Sequence, residues 1–396
     1  MKHGYIFLFI AISILFAGCK KQAERNIDIY TIDFEQCFET ERQMAVSEIA
    51  DDVEYIELKT PEDVIVTRVW DVKQIDDYLL IEARHNVYLF HKNGRFIREI
   101  GSCGQGPGEY LVSSGVEIDR KKREIIIADT EKFLFYDLDG NFLRSKKWKH
   151  DTKIGISDTI LWISDIATNW RKWKAVAVSL QEVGDTLARI PNPLYGPIMH
   201  SDKISVNGSP YTKMFYYKND SLYFKGDDSN DTIWKLSGVH AEPYVFIDMG
   251  KYKLPLEFES WYYSRDAYRK NGDRYWGVAS VVEDDHYFFL LSQNRLFIRD
   301  NLNFKYIVYD RKQKEGFFVK DSNGMGLTDD ILGGPPVWVR WASDEYYIDT
   351  ITAEELLEHT KAGTFTPHEP LKEQLSRLNE YGNDLIILCR RKKQIR

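Results

Sequence analysis

The stretch that decides the fold occurs twice, as VKQIDDYLLIEARHNVYLFHKNGRFIR at residues 72–98 and as IDRKKREIIIADTEKFLFYDLDGNFLR at residues 118–144. The two copies align without a gap, at an offset of 46 residues. Each consists of a β-rich run, a turn, a second run, a glycine turn and a third run. Gly94 and Gly140 occupy the same place in the two copies, where glycine adopts the positive φ of a tight hairpin. Each copy therefore predicts an antiparallel meander of three strands.

A period in the forties is typical of a β-propeller blade. The content of 24 Tyr, 21 Phe and 10 Trp suits strands with large buried surfaces. Paired β-rich runs recur with longer loops at residues 154–163 with 174–180, 221–225 with 232–236, 286–291 with 304–310, and 338–341 with 346–349 and 385–389. Six units fit the chain, so we predict an all-β fold, a six-bladed β-propeller.

The two ends of the predicted propeller each carry a lone strand, at residues 53–58 and 385–389. Pairing these strands in one blade would close the ring and protect both edges. The propeller domain is therefore expected over residues 53–396. Short helical insertions are predicted in the last blade, one capped by Thr352 and one beginning after Pro370.

The amino terminus has the features of a bacterial export signal. Its apolar run, residues 5–16, is too short to cross a bilayer, which needs about 20 residues. The Ala-Gly-Cys sequence that ends at Cys19 resembles the lipobox of bacterial lipoproteins, in which the cysteine is acylated after cleavage in front of it. We expect a lipoprotein signal peptide at residues 1–18, lipidation of Cys19, and a lipid-anchored linker at residues 19–52. An ordinary secretory signal with a chance cysteine is the alternative.

The charge balance bears on partners. The chain has 53 Lys and Arg against 61 Asp and Glu, a formal charge of −8, which argues against binding of nucleic acid through bulk positive charge. A basic tail at residues 390–396 is interpreted as a solvated terminus, with attraction to membrane phosphates as the alternative.

Three cysteines follow Cys19, namely Cys37, Cys103 and Cys389. An odd number cannot pair completely, and their spacing is unlike that of a metal site. We predict no structural disulfide, and a buried thiol at Cys389 because it ends an apolar run.

Four motifs together resemble a known family. They are GSCGQGPGEY at residues 101–110, VEYIEL at 53–58, DTIW at 231–234 and DILGGP at 330–335. The chain is similar here to the six-bladed β-propeller lipoproteins common in Bacteroidetes, which are relatives of the NHL-repeat propellers. The resemblance implies a six-bladed propeller in the cell envelope and implies no particular activity. The glycine run lacks the lysine and the following helix of a phosphate-binding loop, so we interpret it as a connection between blades.

Catalytic motifs are missing from the sequence. It contains neither an HExxH zinc motif nor a Gly-x-Ser-x-Gly elbow. The run Glu283, Asp284, Asp285, His286 is interpreted as an exposed acidic turn. We therefore predict no catalytic residue, no metal site and no cofactor.

The best ligand-binding candidates lie in PPVWVRW at residues 335–341. Trp338 and Trp341 offer aromatic faces and Arg340 offers a bidentate donor, a combination that suits sugars, carboxylates or peptides. Three more candidates could join from neighbouring loops: Glu109, Trp261 and Trp276. The alternative, which we prefer for the aromatic residues, is packing between blades.

The leading functional hypothesis is a non-catalytic binding or scaffold module in the cell envelope, with a glycan, peptide or protein as its partner. We expect a monomeric outer-membrane lipoprotein, held to the membrane by its lipid and facing the periplasm, with the cell surface as the alternative. The alternative is an envelope hydrolase or lyase with an axial active site. Two or more titratable groups converging on the axis would favour the enzyme, whereas an aromatic, charge-poor face would favour binding.

Overall fold

The structure is a computed structural model that describes residues 29–148, 152–165, 172–181, 184–196, 212–227, 229–259, 271, 274–295, 302–320 and 326–392. Within these residues the chain forms the predicted six-bladed β-propeller, with six sheets of four or five strands. No helix in the described ranges is long and apolar enough to cross a membrane.

An amino-terminal segment precedes the first blade. It comprises β1 (Tyr30–Asp33), α1 (Phe34–Glu39), β2 (Glu41–Arg42), a 3₁₀ turn (Val46–Glu48) and β3 (Ala50–Glu57).

Blades I to III follow in chain order, each an antiparallel meander. Blade I contains β4 (Val69–Ile75), β5 (Tyr78–Ala83), β6 (Asn86–His91) and β7 (Phe96–Glu99), and is linked by β8 (Ser102–Cys103) and β9 (Glu109–Tyr110) to the next blade. Blade II contains β10 (Gly115–Asp119), β11 (Glu124–Ala128), β12 (Lys132–Asp137) and β13 (Phe142–Lys147). Blade III contains β14 (Thr152–Ser157), β15 (Ile160–Asp165), β16 (Trp173–Ser179) and β17 (Thr186–Pro191).

Blades IV to VI carry the longer insertions. Blade IV contains β18 (Phe215–Lys218), β19 (Ser221–Phe224), β20 (Thr232–Ser237) and β21 (His240–Asp248), followed by 3₁₀ turns at Gly250–Tyr252 and Leu256–Phe258. Blade V contains β22 (Trp276–Glu283), β23 (Tyr287–Asn294), β24 (Phe304–Asp310) and β25 (Glu315–Val319). Blade VI contains β26 (Trp341–Ala342), β27 (Tyr346–Ile351), α2 (Ala353–Ala362), α3 (Leu371–Leu375) and β28 (Leu385–Arg391).

The ring closes as predicted, because β3 pairs antiparallel with β28 as the outer strand of blade VI. Upstream of β3, β1 pairs in parallel with β21 and β2 pairs in parallel with β25. The described part of the expected linker therefore contributes a fifth strand to blade IV and another to blade V. Both helical insertions of the last blade are present, and the Thr352 side chain accepts a hydrogen bond from the Glu355 backbone at 3.0 Å.

Buried strands explain the repeated apolar runs. On β6, Leu89 packs in a cluster with Ile127 of blade II, while the next residue, Phe90, packs in a cluster with Ile348 of blade VI. Because both faces of a blade are covered by its neighbours, successive side chains are apolar instead of alternating with polar ones.

The glycine-rich signature connects blades I and II. A Cβ atom on Gly101 would lie 2.5 Å from the Tyr136 hydroxyl, and one on Gly104 would lie 2.1 Å from a Glu109 carboxylate oxygen. The Tyr136 hydroxyl donates to the carbonyl of Gly108 at 2.9 Å. The run therefore packs backbone closely between two blades, as expected for a structural connection.

Candidate ligand site on the propeller axis

The inner strands of all six blades surround a cavity of about 850 Å³ on the propeller axis, which we call the axial cavity. Each inner strand contacts the next, and β26 contacts β4, so the cavity is enclosed by a complete ring. Cavities of this volume are large enough for a small organic ligand.

Charged side chains from different blades meet inside the axial cavity. Lys73 Nζ lies 3.1 Å from Asp71 Oδ2 and 3.4 Å from Glu117 Oε2 of blade II. Lys213, just before blade IV, places its Nζ atom 3.9 Å from Asp71 Oδ1 of blade I. In a ring of six, blades I and IV are opposite, so this contact crosses the axis.

The pKa values in the cluster follow from burial and from these pairs. Burial lowers the pKa of Lys213 well below its ordinary value, which Asp71 opposes and the nearby Lys73, Arg340 and Lys153 reinforce. Burial also acts to lower the pKa of Lys73, but the carboxylates of Asp71 and Glu117 outweigh this effect, so the pKa of Lys73 is raised.

The buried carboxyls of this cluster differ in the direction in which their pKa values are shifted. Burial acts to raise the pKa of Asp71, but Lys73 and Lys213 outweigh it and the pKa is lowered. Burial raises the pKa values of Glu82 and Glu117 despite the opposing lysines. Glu82 also accepts a hydrogen bond from the Ser113 hydroxyl. The cluster thus contains acids that favour ionisation and acids that favour protonation.

Two of the sequence-predicted residues, Arg340 and Trp341, line the axial cavity. The Nε atom of Arg340 donates to Asp349, and this carboxylate raises the pKa of the guanidinium. The ammonium of Lys213 lies 3.5 Å from the centroid of the Trp341 ring, a cation–π contact, and donates to the backbone carbonyl of Arg340 at 3.3 Å. The ring face of Trp341 that meets Lys213 is therefore covered.

The remaining predicted residues lie elsewhere. Trp338 is 3% exposed, and its ring packs 4.4 Å from Tyr306 in the core. Trp276 is 6% exposed and packs 4.9 Å from Phe38. Both positions agree with the alternative of packing between blades.

Glu109 lies on β9, where its side chain accepts a hydrogen bond from the Gly106 backbone at 2.7 Å within the glycine-rich connection. Glu109, Trp338 and Trp276 are absent from the residues that line the axial cavity. Trp261 lies outside the described residues.

A second charged cluster joins blades IV and V. The side chain of Glu283 is fully buried and accepts hydrogen bonds from the Tyr216 hydroxyl at 2.8 Å, the Tyr244 hydroxyl at 2.6 Å and Lys218 Nζ at 3.0 Å, and also from Arg311. Complete pairing of this kind indicates a structural connection between blades.

The interpretation of Glu283 and Asp284 as an exposed turn was wrong, because they are 2% and 4% exposed. Asp284 accepts backbone hydrogen bonds from His286 at 2.7 Å and Tyr287 at 2.6 Å, so its side chain is directed into the turn. Asp285 and His286 are exposed, as expected. The sequence could not reveal that Lys218 and two tyrosines of blade IV cover Glu283.

Several polar atoms of cavity-lining residues have no hydrogen-bond partner among the residues that the structure describes. They include Ser114 Oγ, Thr212 Oγ1 and Trp341 Nε1. Buried polar groups without partners are costly, and they concentrate where a ligand or water completes the bonding. Across the described residues, no three or more His, Cys, Asp or Glu side chains are placed to hold a metal ion.

Sequence reasoning missed Trp70, Asp71, Lys73 and Lys213. A usable signal was present, because Asp71 and Glu117 occupy equivalent positions at the 46-residue offset on the first strand of blades I and II. Charged residues at equivalent positions of buried inner strands indicate an axial lining. Lys213 has no such signal, because it precedes blade IV in a loop.

These features define a class, namely six-bladed propellers with a charged axial cavity. The chain matches the family described as a domain of unknown function, DUF4934, over residues 29–390. The chain therefore belongs to the DUF4934 family. No curated protein matches it.

The solved structure of an exported protein supports the fold. A Bacteroides fragilis protein described as exported superposes with a TM-score of 0.69 at 19% identity, covering 92% of this chain and 100% of that one. The amino-terminal domain of Nup159 gives a TM-score of 0.41 at 10% identity, covering 82% and 77%. BamB from Moraxella catarrhalis gives 0.39 at 13% identity, covering 66% of each chain.

Proposed function

We propose that this protein is a lipid-anchored propeller of the cell envelope that binds a ligand in its axial cavity without converting it. The observation that supports this most is that Lys213, Arg340 and Trp341 meet in a cavity of about 850 Å³. Several polar atoms of its lining have no hydrogen-bond partner within the described part of the chain. Sugars, carboxylates and peptides are the ligand classes that suit this chemistry.

The pairing of the charges favours binding over catalysis. Asp71 and Glu117 share Lys73, Glu82 has the Ser113 hydroxyl, and Arg340 has Asp349. Lys73 and Lys213 lower the pKa of Asp71, which makes this carboxylate a weaker general base.

A screen of full-length protein against glycan arrays, peptide libraries and envelope extracts tests this proposal. Lys213→Met should weaken capture of the ligand, since it removes a cavity cation while keeping a long apolar side chain. Tyr381→Ala is the control, because Tyr381 is 82% exposed and does not line the cavity. A ligand whose capture is unaffected by Lys213→Met would place binding elsewhere and contradict the proposal.

A second candidate function is an envelope hydrolase or lyase with an axial active site. The favouring observation is that several titratable groups converge on the axis, the arrangement expected of an enzyme. Mass analysis after incubation of the captured ligand with the protein separates the two functions. Unchanged ligand supports binding, whereas turnover that is lost in Lys213→Met supports the enzyme.

The proposed localisation rests on the export signal and the lipobox-like cysteine of the sequence. We propose a monomeric outer-membrane lipoprotein, related to the NHL-repeat propellers, with the propeller in the periplasm. Palmitate labelling should be lost in Cys19→Ala, and protease added to intact cells should leave the propeller uncut. Cleavage by external protease would move the proposed location to the cell surface.

A further inference from the structure

Trp70 stands out among the residues that line the axial cavity. It is 39% exposed, although it lies on the inner strand β4. The pairing of β4 with β5 shifts between Val69 and Asp71, so Trp70 occupies a β-bulge. Bulges redirect side chains and are frequent beside functional sites. The bulge thus presents a large aromatic surface beside Asp71, whose carboxylate is 3.9 Å from Lys213 Nζ.

The neighbouring turn is strained in a way that fixes this aromatic ring. Arg84 and His85, between β5 and β6, have positive φ angles of 46° and 74° in place of the glycines that such turns prefer. The turn holds the imidazole of His85 edge-on to the Trp70 ring, with 4.3 Å between centroids and 83° between planes. Strain of this kind concentrates at ligand sites, and the contact restricts the orientation of the indole.

Two cations, Lys213 and Arg340, line the same cavity, and the charge of Arg340 acts to lower the pKa of Lys213. The ammonium of Lys213 is 3.3 Å from the backbone carbonyl of Arg340, and the two side chains are 24% and 36% exposed. Arg340 uses Nε for Asp349, and its two Nη atoms have no hydrogen-bond partner in the described part of the chain. A guanidinium edge with free donors beside an ammonium suits the two oxygens of a carboxylate.

The charges around Lys213 also favour an anionic ligand. Its pKa is lowered by burial and by the nearby Lys73, Arg340 and Lys153, whereas Asp71 acts to raise it. A bound anion would reduce this mutual repulsion and favour the charged ammonium. The cavity is therefore better matched to an anion than to a cation at this point.

We infer that the axial cavity binds a sugar that carries a carboxylate, with the sugar ring on Trp70 and the carboxylate between Lys213 and Arg340. This inference rests on the proposed binding function and names its ligand class. Aromatic rings pack against the apolar face of a sugar, and the carboxylate supplies the charge that the two cations require.

The test compares two matched ligands by calorimetry with the full-length protein. One is a tetrasaccharide of galacturonic acid, and the other is the same tetrasaccharide with its carboxyls methyl-esterified. We expect the acid to bind at least about tenfold more tightly, the usual order of effect for one lost charge-assisted contact. Trp70→Ala and Lys213→Met should each weaken the acid about tenfold or more, whereas Tyr381→Ala should not.

Three results would overturn the inference: equal affinity for acid and ester, no binding of the acid at about 10 mM, or unchanged affinity in Trp70→Ala. Thermal unfolding of each variant separates a lost contact from a lost fold. The proposed function is judged separately by the ligand screen. A different ligand that depends on Lys213 would retain axial binding and reject only the acidic sugar.

Discussion

Lys213 is the residue on which the axial site depends most. Its ammonium contacts Trp341 of blade VI and approaches Asp71 of blade I, while its pKa is held below the ordinary lysine value. Partly buried lysines with lowered pKa values are sensitive to the charge of a neighbour, so ligand binding and protonation at this position should be coupled.

The first prediction concerns this coupling. As the pH rises through the lowered pKa, the amine loses its charge. Affinity for an anionic ligand should therefore be highest on the acid side of this pKa and should fall at a pH below 10.5, the ordinary value for lysine. Asp71 acts to raise the pKa of the amine, whereas Lys73, Arg340 and Lys153 act to lower it. Lys213→Arg should remove this fall, because arginine stays charged over the range. Calorimetry across pH would show an identical alkaline fall in both proteins if another group were responsible.

The second prediction concerns the thiols. Burial raises the pKa of Cys37 to about 12 and also raises that of Cys389, whereas Cys103 is exposed. Because the thiolate is the reactive form, iodoacetamide should label Cys103 in the folded protein and label Cys37 and Cys389 only after unfolding. Peptide mass mapping checks this, with Cys103→Ser as control. Labelling of Cys37 in the folded protein would contradict the burial.

At the scale of elements, the glycine turns of the repeat differ in what surrounds them. Gly94 and Gly140 have φ angles of 85° and 76°, so either would be strained as alanine. A Cβ on Gly94 would lie 2.0 Å from the carbonyl oxygen of Glu57, whereas one on Gly140 would first meet the flexible Arg98 side chain at 3.0 Å. The turn of blade I lies against the strand that closes the ring.

Alanine substitutions at Gly94 and Gly140 should therefore destabilise the fold to different extents. Gly140→Ala should lower the free energy of unfolding by about 1–2 kcal/mol, the cost of a left-handed residue. Gly94→Ala should cost more, because the Glu57 backbone must also move. Urea denaturation measures both values. Equal losses would show that the contact between blades I and VI is not tight.

The amino-terminal segment acts as a strap across blades IV, V and VI, through β1, β2 and β3. Between the first two strands, α1 buries Phe34, Cys37 and Phe38 in a cluster that includes Ile307 and Tyr309 of blade V. The strap covers strand edges that would otherwise be open to pairing with other chains.

The fourth prediction tests the strap. Phe34 is fully buried, so Phe34→Ala should lower the free energy of unfolding by about 3–5 kcal/mol. The exposed Thr31 on β1 provides the control, and Thr31→Ala should change it by no more than about 0.5 kcal/mol. A loss at Phe34 as small as that at Thr31 would mean that the strap contributes little to the folded ring.

For the molecule as a whole, the fold could be predicted because it is repeated and local. The 46-residue offset matches the observed structure at β6 and β12, which span Asn86–His91 and Lys132–Asp137. Closure by β3 and β28 could also be predicted, since an exposed strand at each end is unfavourable. The pairing of the amino-terminal strands could not be predicted, because β1 and β2 pair with strands more than two hundred residues away in the sequence.

The axial site was predictable only in part. Arg340 and Trp341 stand together in a conspicuous aromatic segment, and they do line the cavity. Trp338 has the same composition around it but packs in the core, because its position on the segment directs it towards Tyr306. Lys213 and Trp70 join the cavity through a loop and a bulge, and neither has a periodic signal in the sequence.

The most direct test of the central claim is a crystal structure of the protein with the ligand captured in the screen. Binding in the axial cavity predicts ligand density within hydrogen-bonding distance of Lys213 Nζ and the Arg340 Nη atoms. Density confined to the outer strands or loops of the blades, with the axial cavity free of ligand, would contradict it.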